Sequence, residues 1–113
     1  MKIQFEKLEN TLIIKLYGEI DHYFAEETRD KIDREFVVNN YKNIIFDFEE
    51  VNFMDSSGIG MIIGRYKLTK ERNGNVYAFG LRDNAKRVFN ISGLNKIICY
   101  VETKEEAIKQ LNK

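Results

Sequence analysis

Asp55, Ser56, Ser57 and Gly58 stand together between an apolar stretch and a run with helical spacing. At such a place a serine hydroxyl lies among the unpaired backbone N–H groups of a helix start. Asp55 or Ser56 can cap that helix by accepting a bond from one of those groups. A phosphate on Ser56 would lie near the positive end of the helix dipole, so the fold can accept it without unfolding. Its charge, about −1.5 to −2 at neutral pH, would face nearby carboxylates. Asp55 is adjacent, and Asp21 is expected on a neighbouring loop. A partner that binds the neutral surface would then be repelled. The chemistry read here is a phosphoserine switch that alters a surface and leaves the fold in place.

Other chemistries fit less well. His22 is the only histidine, and Ser56, His22 and Asp21 could converge as a hydrolase triad. Asp21 and His22 are chain neighbours, however, an awkward source for base and orienter, and no Gly-x-Ser-x-Gly elbow surrounds Ser56. His22 reads better as a surface residue at a helix start. Gly58, Gly60 and Gly64 do not match the Gly-x-Gly-x-x-Gly spacing of a dinucleotide site, and no Gly-Lys-Ser/Thr is present. One His and one Cys give no spaced metal-ligand set. The three glycines each cost about 1 kcal/mol against alanine inside a helix. They imply close packing on a sheet, or a surface that a partner must approach closely. Ile59, Ile62, Ile63 and Tyr66 form the apolar stripe of this helix. Met61, Arg65 and Leu68 share another side, open either to partial burial or to exposure near the serine.

The elements needed to hold this segment are legible as periodicities. Ile3 and Phe5, then Leu12, Ile14 and Leu16, alternate with other residues and predict two strands joined across Glu9-Asn10 as a hairpin. From about His22 the spacing becomes helical through Phe36, and Asn39-Asn40 ends that helix. Asn43–Phe48 reads as a buried strand, Glu49–Met54 as a turn, and Ser56–Arg72 as a helix stopped by Asn73-Gly74. Val76–Gly80 is the next strand. Asp83 or Asn84 is expected to cap a third helix, with Gly93 just past its end. Ile97–Val101 is the last strand, and Thr103-Lys104-Glu105-Glu106 a capping box opening the final helix. The order β-β-α-β-α-β-α-β-α calls for an α/β domain with a mixed, mostly parallel sheet.

With 113 residues, 43% of them hydrophobic, the chain is sized for one domain spanning 1–113. Eighteen basic residues balance 18 acidic ones, which argues against nucleic acid as the main partner. No apolar run approaches the ~20 residues of a membrane helix, and the N-terminus lacks a signal-peptide core. Cys99 is the lone cysteine, set in an apolar run where a buried thiol is expected. A cytoplasmic domain without cofactor or membrane partner is expected.

Gly18-Glu19-Ile20-Asp21-His22, the run Phe53-Met54-Asp55-Ser56-Ser57-Gly58-Ile59-Gly60 with its continuation Gly64-Arg65-Tyr66-Lys67, and Ile91-Ser92-Gly93-Leu94 carry a resemblance. Across nearly the whole chain they resemble the STAS-domain anti-sigma factor antagonists, most of all the branch controlling sporulation sigma factor F. The resemblance implies a single STAS domain with about four helices packed mainly on one face of the sheet. It places the phosphoacceptor on Ser56, with Ser57 far behind. It implies a regulator without catalytic activity: unphosphorylated, it binds an anti-sigma factor serine kinase and releases the sigma factor. The kinase, carrying ADP or ATP, inactivates it by phosphorylation, and a PP2C-type phosphatase restores it. Residues expected at the partner surface are Glu19, Asp21, His22, Asp55, Ser57, Gly58, Met61 and Arg65. The free protein is expected to be a monomer. The alternative within the same fold is a scaffold or transporter-associated subunit that does not act on a sigma factor.

Overall fold

The structure, a computed structural model, describes residues 2–112. The alternating N-terminal residues form β1 (Ile3–Leu8) and β2 (Thr11–Ile20), an antiparallel pair closed by Glu9 and Asn10, with Glu9 at φ 54°. There follow α1 (His22–Val38), β3 (Asn43–Met54), α2 (Ser56–Lys70), β4 (Val76–Phe79) and α3 (Asp83–Ile91). A 3-10 turn at Leu94–Lys96 leads to β5 (Cys99–Tyr100) and α4 (Lys104–Leu111). The five strands lie in sequence order; only the β1–β2 pair is antiparallel. The expected α/β architecture, hairpin first and parallel thereafter, is the one observed.

Alternation along the strands sends side chains to two cores. Leu12, Ile14, Leu16, Ile44, Phe46 and Phe48 point to the face covered by α1, α2 and α3, where Ile32, Phe36, Ile62 and Phe89 meet them. Ile13, Ile45, Tyr77 and Phe79 form the smaller core under α4, capped by Ala107 and flanked by Ile108 and Leu111. Three helices on one face and one on the other match the expected arrangement. Each fully buried Ile or Phe contributes roughly 1.5–3 kcal/mol. That comfortably outweighs the helix-propensity cost of the α2 glycines.

Several local expectations give way. Residues 49–54, read as a turn, continue β3 to Met54, and β2 runs on to Ile20. Two register irregularities, between Lys15 and Tyr17 and between Gly18 and Glu19, let these polar halves pair, with Gly18 at φ 85°. Neither Asp83 nor Asn84 caps α3: Arg82 holds the cap position without a side-chain bond. The Asn84 carboxamide is engaged elsewhere, as shown below. The last strand is only Cys99–Tyr100, at the edge of the sheet, and Cys99 is exposed there, not buried as expected. Thr103 does accept from the Glu106 N–H, but the Glu106 carboxylate turns to Gln110 instead of closing a capping box.

Candidate functional site

β2 and β3 end in step, with Ile20 opposite Met54. The Asp55 N–H donates to the Ile20 carbonyl at 3.3 Å, the last rung of the pairing. The residues just past this rung, Asp21 and Asp55, are the N-caps of α1 and α2, both extended in backbone. Asp21 Oδ1 accepts from the Phe24 N–H at 3.0 Å, and Asp55 Oδ1 accepts from the Ser57 N–H at 2.8 Å. Both carboxylates are thus fixed by the helices they start. Of the two residues expected as the α2 cap, Asp55 serves, which leaves Ser56 at the first helical position with its side chain exposed.

A third helix joins them. Asn84 Oδ1, in the first turn of α3, accepts from the Met54 N–H at 3.1 Å across 30 residues of sequence. The starts of α1, α2 and α3 therefore gather at one edge, beyond the carboxyl ends of β2, β3 and β4, where open α/β sheets meet their ligands. Asp83 holds φ 44° at the head of α3.

The eight residues expected at a partner surface divide in two. Glu19 and His22 are exposed, and Asp21, Asp55 and Ser57 are half-buried along the same edge. His22 Nε2 lies 3.4 Å from the Glu26 carboxylate one turn along α1. With Asp21 committed to its cap and His22 facing Glu26, neither is arranged as base and orienter for Ser56. The other three do not lie on the surface as expected. A Cβ on Gly58 would come within 2.5 Å of Met54, so this glycine is there for packing. Met61 is 4% exposed, its sulfur accepting from the Thr28 hydroxyl at 3.3 Å. Arg65 is 8% exposed, held by Asp33 of α1.

The Arg65–Asp33 pair links α2 to α1. Arg65 Nε lies 2.8 Å from Asp33 Oδ1, close but poorly aligned as a hydrogen bond, and Nη2 donates to Oδ2 at 3.2 Å. Burial pushes the Asp33 carboxyl above its usual range despite the opposing pull of Arg65. Burial likewise lowers the Arg65 guanidinium, against the attraction of Asp33. On both groups burial works against the charged form while the partner's charge works for it.

Sequence reasoning passed over Tyr23, which is 76% exposed in the first turn of α1 beside His22, and Phe53, 37% exposed opposite Glu19. Each breaks the apolar-inside rule, Tyr23 in the first turn of α1 and Phe53 near the end of β3, and large exposed aromatics of this kind favour protein contacts. The signal lay in Tyr23 falling off the helical stripe of Phe24, Thr28 and Ile32.

The STAS domain model matches residues 2–107. The chain belongs to the STAS family. The anti-sigma F factor antagonist of Paenibacillus polymyxa is 31% identical over 111 residues, 98% of this chain and 95% of that protein. The solved structure of the anti-sigma factor antagonist SpoIIAA in its unphosphorylated form superposes with a TM-score of 0.84 at 33% identity, covering 97% of this chain and 96% of that one. The Bacillus cell fate determinant SpoIIAA in its phosphorylated form gives 0.75 at 34% identity, covering 96% and 98%. Within the STAS family, full-length likeness is thus to anti-sigma factor antagonists. Among the described residues no helix is long and apolar enough to cross a membrane.

Proposed function

We propose that this STAS domain is an anti-sigma factor antagonist controlled by phosphorylation of Ser56. Unphosphorylated, it binds an anti-sigma factor serine kinase through the edge formed by Glu19, Asp21, His22, Asp55 and Ser57, and so frees the sigma factor. The kinase, with ATP bound, transfers phosphate to the Ser56 oxygen; the modified domain lets go, and a PP2C-type phosphatase returns it to service. The likeness to sigma F antagonists makes sporulation the process in view.

The observation that carries this reading is the exposed Ser56 hydroxyl at the first position of α2, directly after a capping aspartate. An exposed hydroxyl is accessible to a kinase, and the helix start tolerates the phosphate. Asp55 is adjacent and Asp21 caps the neighbouring helix, so the new charge adds to an edge that already carries two carboxylates. Charge and bulk at the surface then suffice to release a partner, without a change of fold. The test is sigma release: unphosphorylated protein added to a complex of the cognate anti-sigma kinase and its sigma factor should free the sigma factor. A complex left intact at saturating antagonist would refute the reading.

A further inference from the structure

At the opposite end of the sheet from Ser56, where β2, β3 and β4 begin, lies a cavity of 390 Å³. Its rim is fixed by the connections that meet there. The Asn10 carbonyl, in the β1–β2 turn, accepts from the N–H groups of Lys42 and Asn43 at 2.7 and 3.2 Å. Asn43, 9% exposed, accepts through Oδ1 from the Asn75 N–H at 2.8 Å. A Cβ on Gly74 would run into the Lys42 carbonyl, so the loop before β4 lies directly on the loop before β3. The last turn of α4 closes the remaining side with Ile108 and Leu111. The cavity is therefore formed before any ligand arrives, as small-molecule sites usually are.

Tyr77 lines this cavity and is 7% exposed, yet its hydroxyl has no hydrogen-bond partner among the described residues. The hydroxyl of Tyr100, on the next strand, by contrast accepts from the Leu81 N–H at 3.1 Å. A buried phenol normally finds a partner, and the cavity is where this one can meet it. The rest of the polar lining is mostly carboxamide, five asparagines and Gln110. Carboxamides both donate and accept, as a ligand hydroxyl does. Lys42 and Glu9, the charged lining residues, are exposed and opposite in sign, so a net charge on the ligand gains little. An apolar ligand would strip water from the carboxamides and return no hydrogen bond. We propose that this cavity binds a small neutral polyol, the size of one monosaccharide, with a ligand hydroxyl paired to Tyr77. The site is separate from the function proposed above and does not rest on it.

The test is a titration of isotope-labelled protein with glucose, ribose and myo-inositol to tens of millimolar, read by backbone amide chemical shifts. Gluconate serves as the charged comparison. At least one of the three neutral probes should shift the amides of Thr11, Asn43, Asn75 and Tyr77 to saturation, leaving those of Ser56 and Ser57 in place. Gluconate should bind no more tightly. Tyr77→Phe should melt within about 2 °C of wild type, since the hydroxyl it removes has no partner in the fold. It should bind the probe roughly threefold or more weakly, the loss of one neutral hydrogen bond. No saturating shift with any neutral probe, or shifts scattered over the whole surface, would overturn the proposal. Tighter binding of gluconate would overturn it too, by making the site an anion site. A Tyr77→Phe protein that melts well below wild type assigns the hydroxyl to the fold, and one that binds equally well takes it out of the site; either result contradicts the proposal and leaves the proposed function standing.

Discussion

The N–H of Asp55 donates to the carbonyl of Ile20, and this one bond at 3.3 Å places the starts of α1 and α2 side by side. Each strand hands over to its helix through a capping aspartate, Asp21 after β2 and Asp55 after β3, and Ser56 directly follows the second of these caps. On the function proposed above, phosphorylation of Ser56 changes the charge of this edge. Ser56→Ala should therefore bind the anti-sigma kinase and remain permanently active, and Ser56→Asp should bind it poorly. Titration calorimetry of both variants checks this; equal affinities would sink the charge mechanism.

Asp55 has two separable duties, cap and charge. Asp55→Asn keeps a side-chain acceptor for the Ser57 N–H and should leave stability within about 0.5 kcal/mol of wild type. Asp55→Ala loses the cap and should cost about 1 kcal/mol in urea unfolding. Equal stability of the two variants would show that the 2.8 Å contact does no capping work in solution.

Asp21 requires the same care, because removing it by alanine also strips the cap of α1. Asp21→Asn should weaken kinase binding while the urea midpoint stays near the wild-type value. A lowered midpoint with unchanged binding would place the residue in the fold alone.

Asn84 ties α3 to the end of β3. Asn84→Ala leaves the part-buried Met54 N–H without its acceptor and should cost about 1–2 kcal/mol. Hydrogen exchange localises the effect: the Met54 amide should lose protection first, and protection unchanged there would contradict the assignment.

The Arg65–Asp33 pair should prove dispensable for stability when both partners are replaced. Asp33→Leu alone leaves a guanidinium 8% exposed without its counter-charge and should cost a few kcal/mol. Adding Arg65→Met should restore stability to within about 1 kcal/mol of wild type. A double variant as unstable as Asp33→Leu would mean that the pair, and not the packing around it, holds α2 to α1.

Much of this was readable from residue order. Apolar alternation gave the hairpin, helical spacing gave α1 and α2, and the aspartate before two serines marked the start of α2. What escaped was long-range. Glu49, Glu50 and Asn52 look like a turn until irregular pairing with Tyr17–Ile20 makes them a strand. Arg65 looks exposed until Asp33, 32 residues earlier, neutralises it. Asn84 resembles a local cap until Met54 claims its carboxamide. Periodicity registers neighbours along the chain, and each of these partners lies on another element.

The most direct test of the account is incubation with the cognate anti-sigma kinase and ATP, followed by intact mass and site mapping, with Ser56→Ala alongside. A single phosphate on Ser56, absent from the variant, is the predicted result. A folded domain that stays unmodified beside an active kinase, or that carries its phosphate on Ser57, would contradict it.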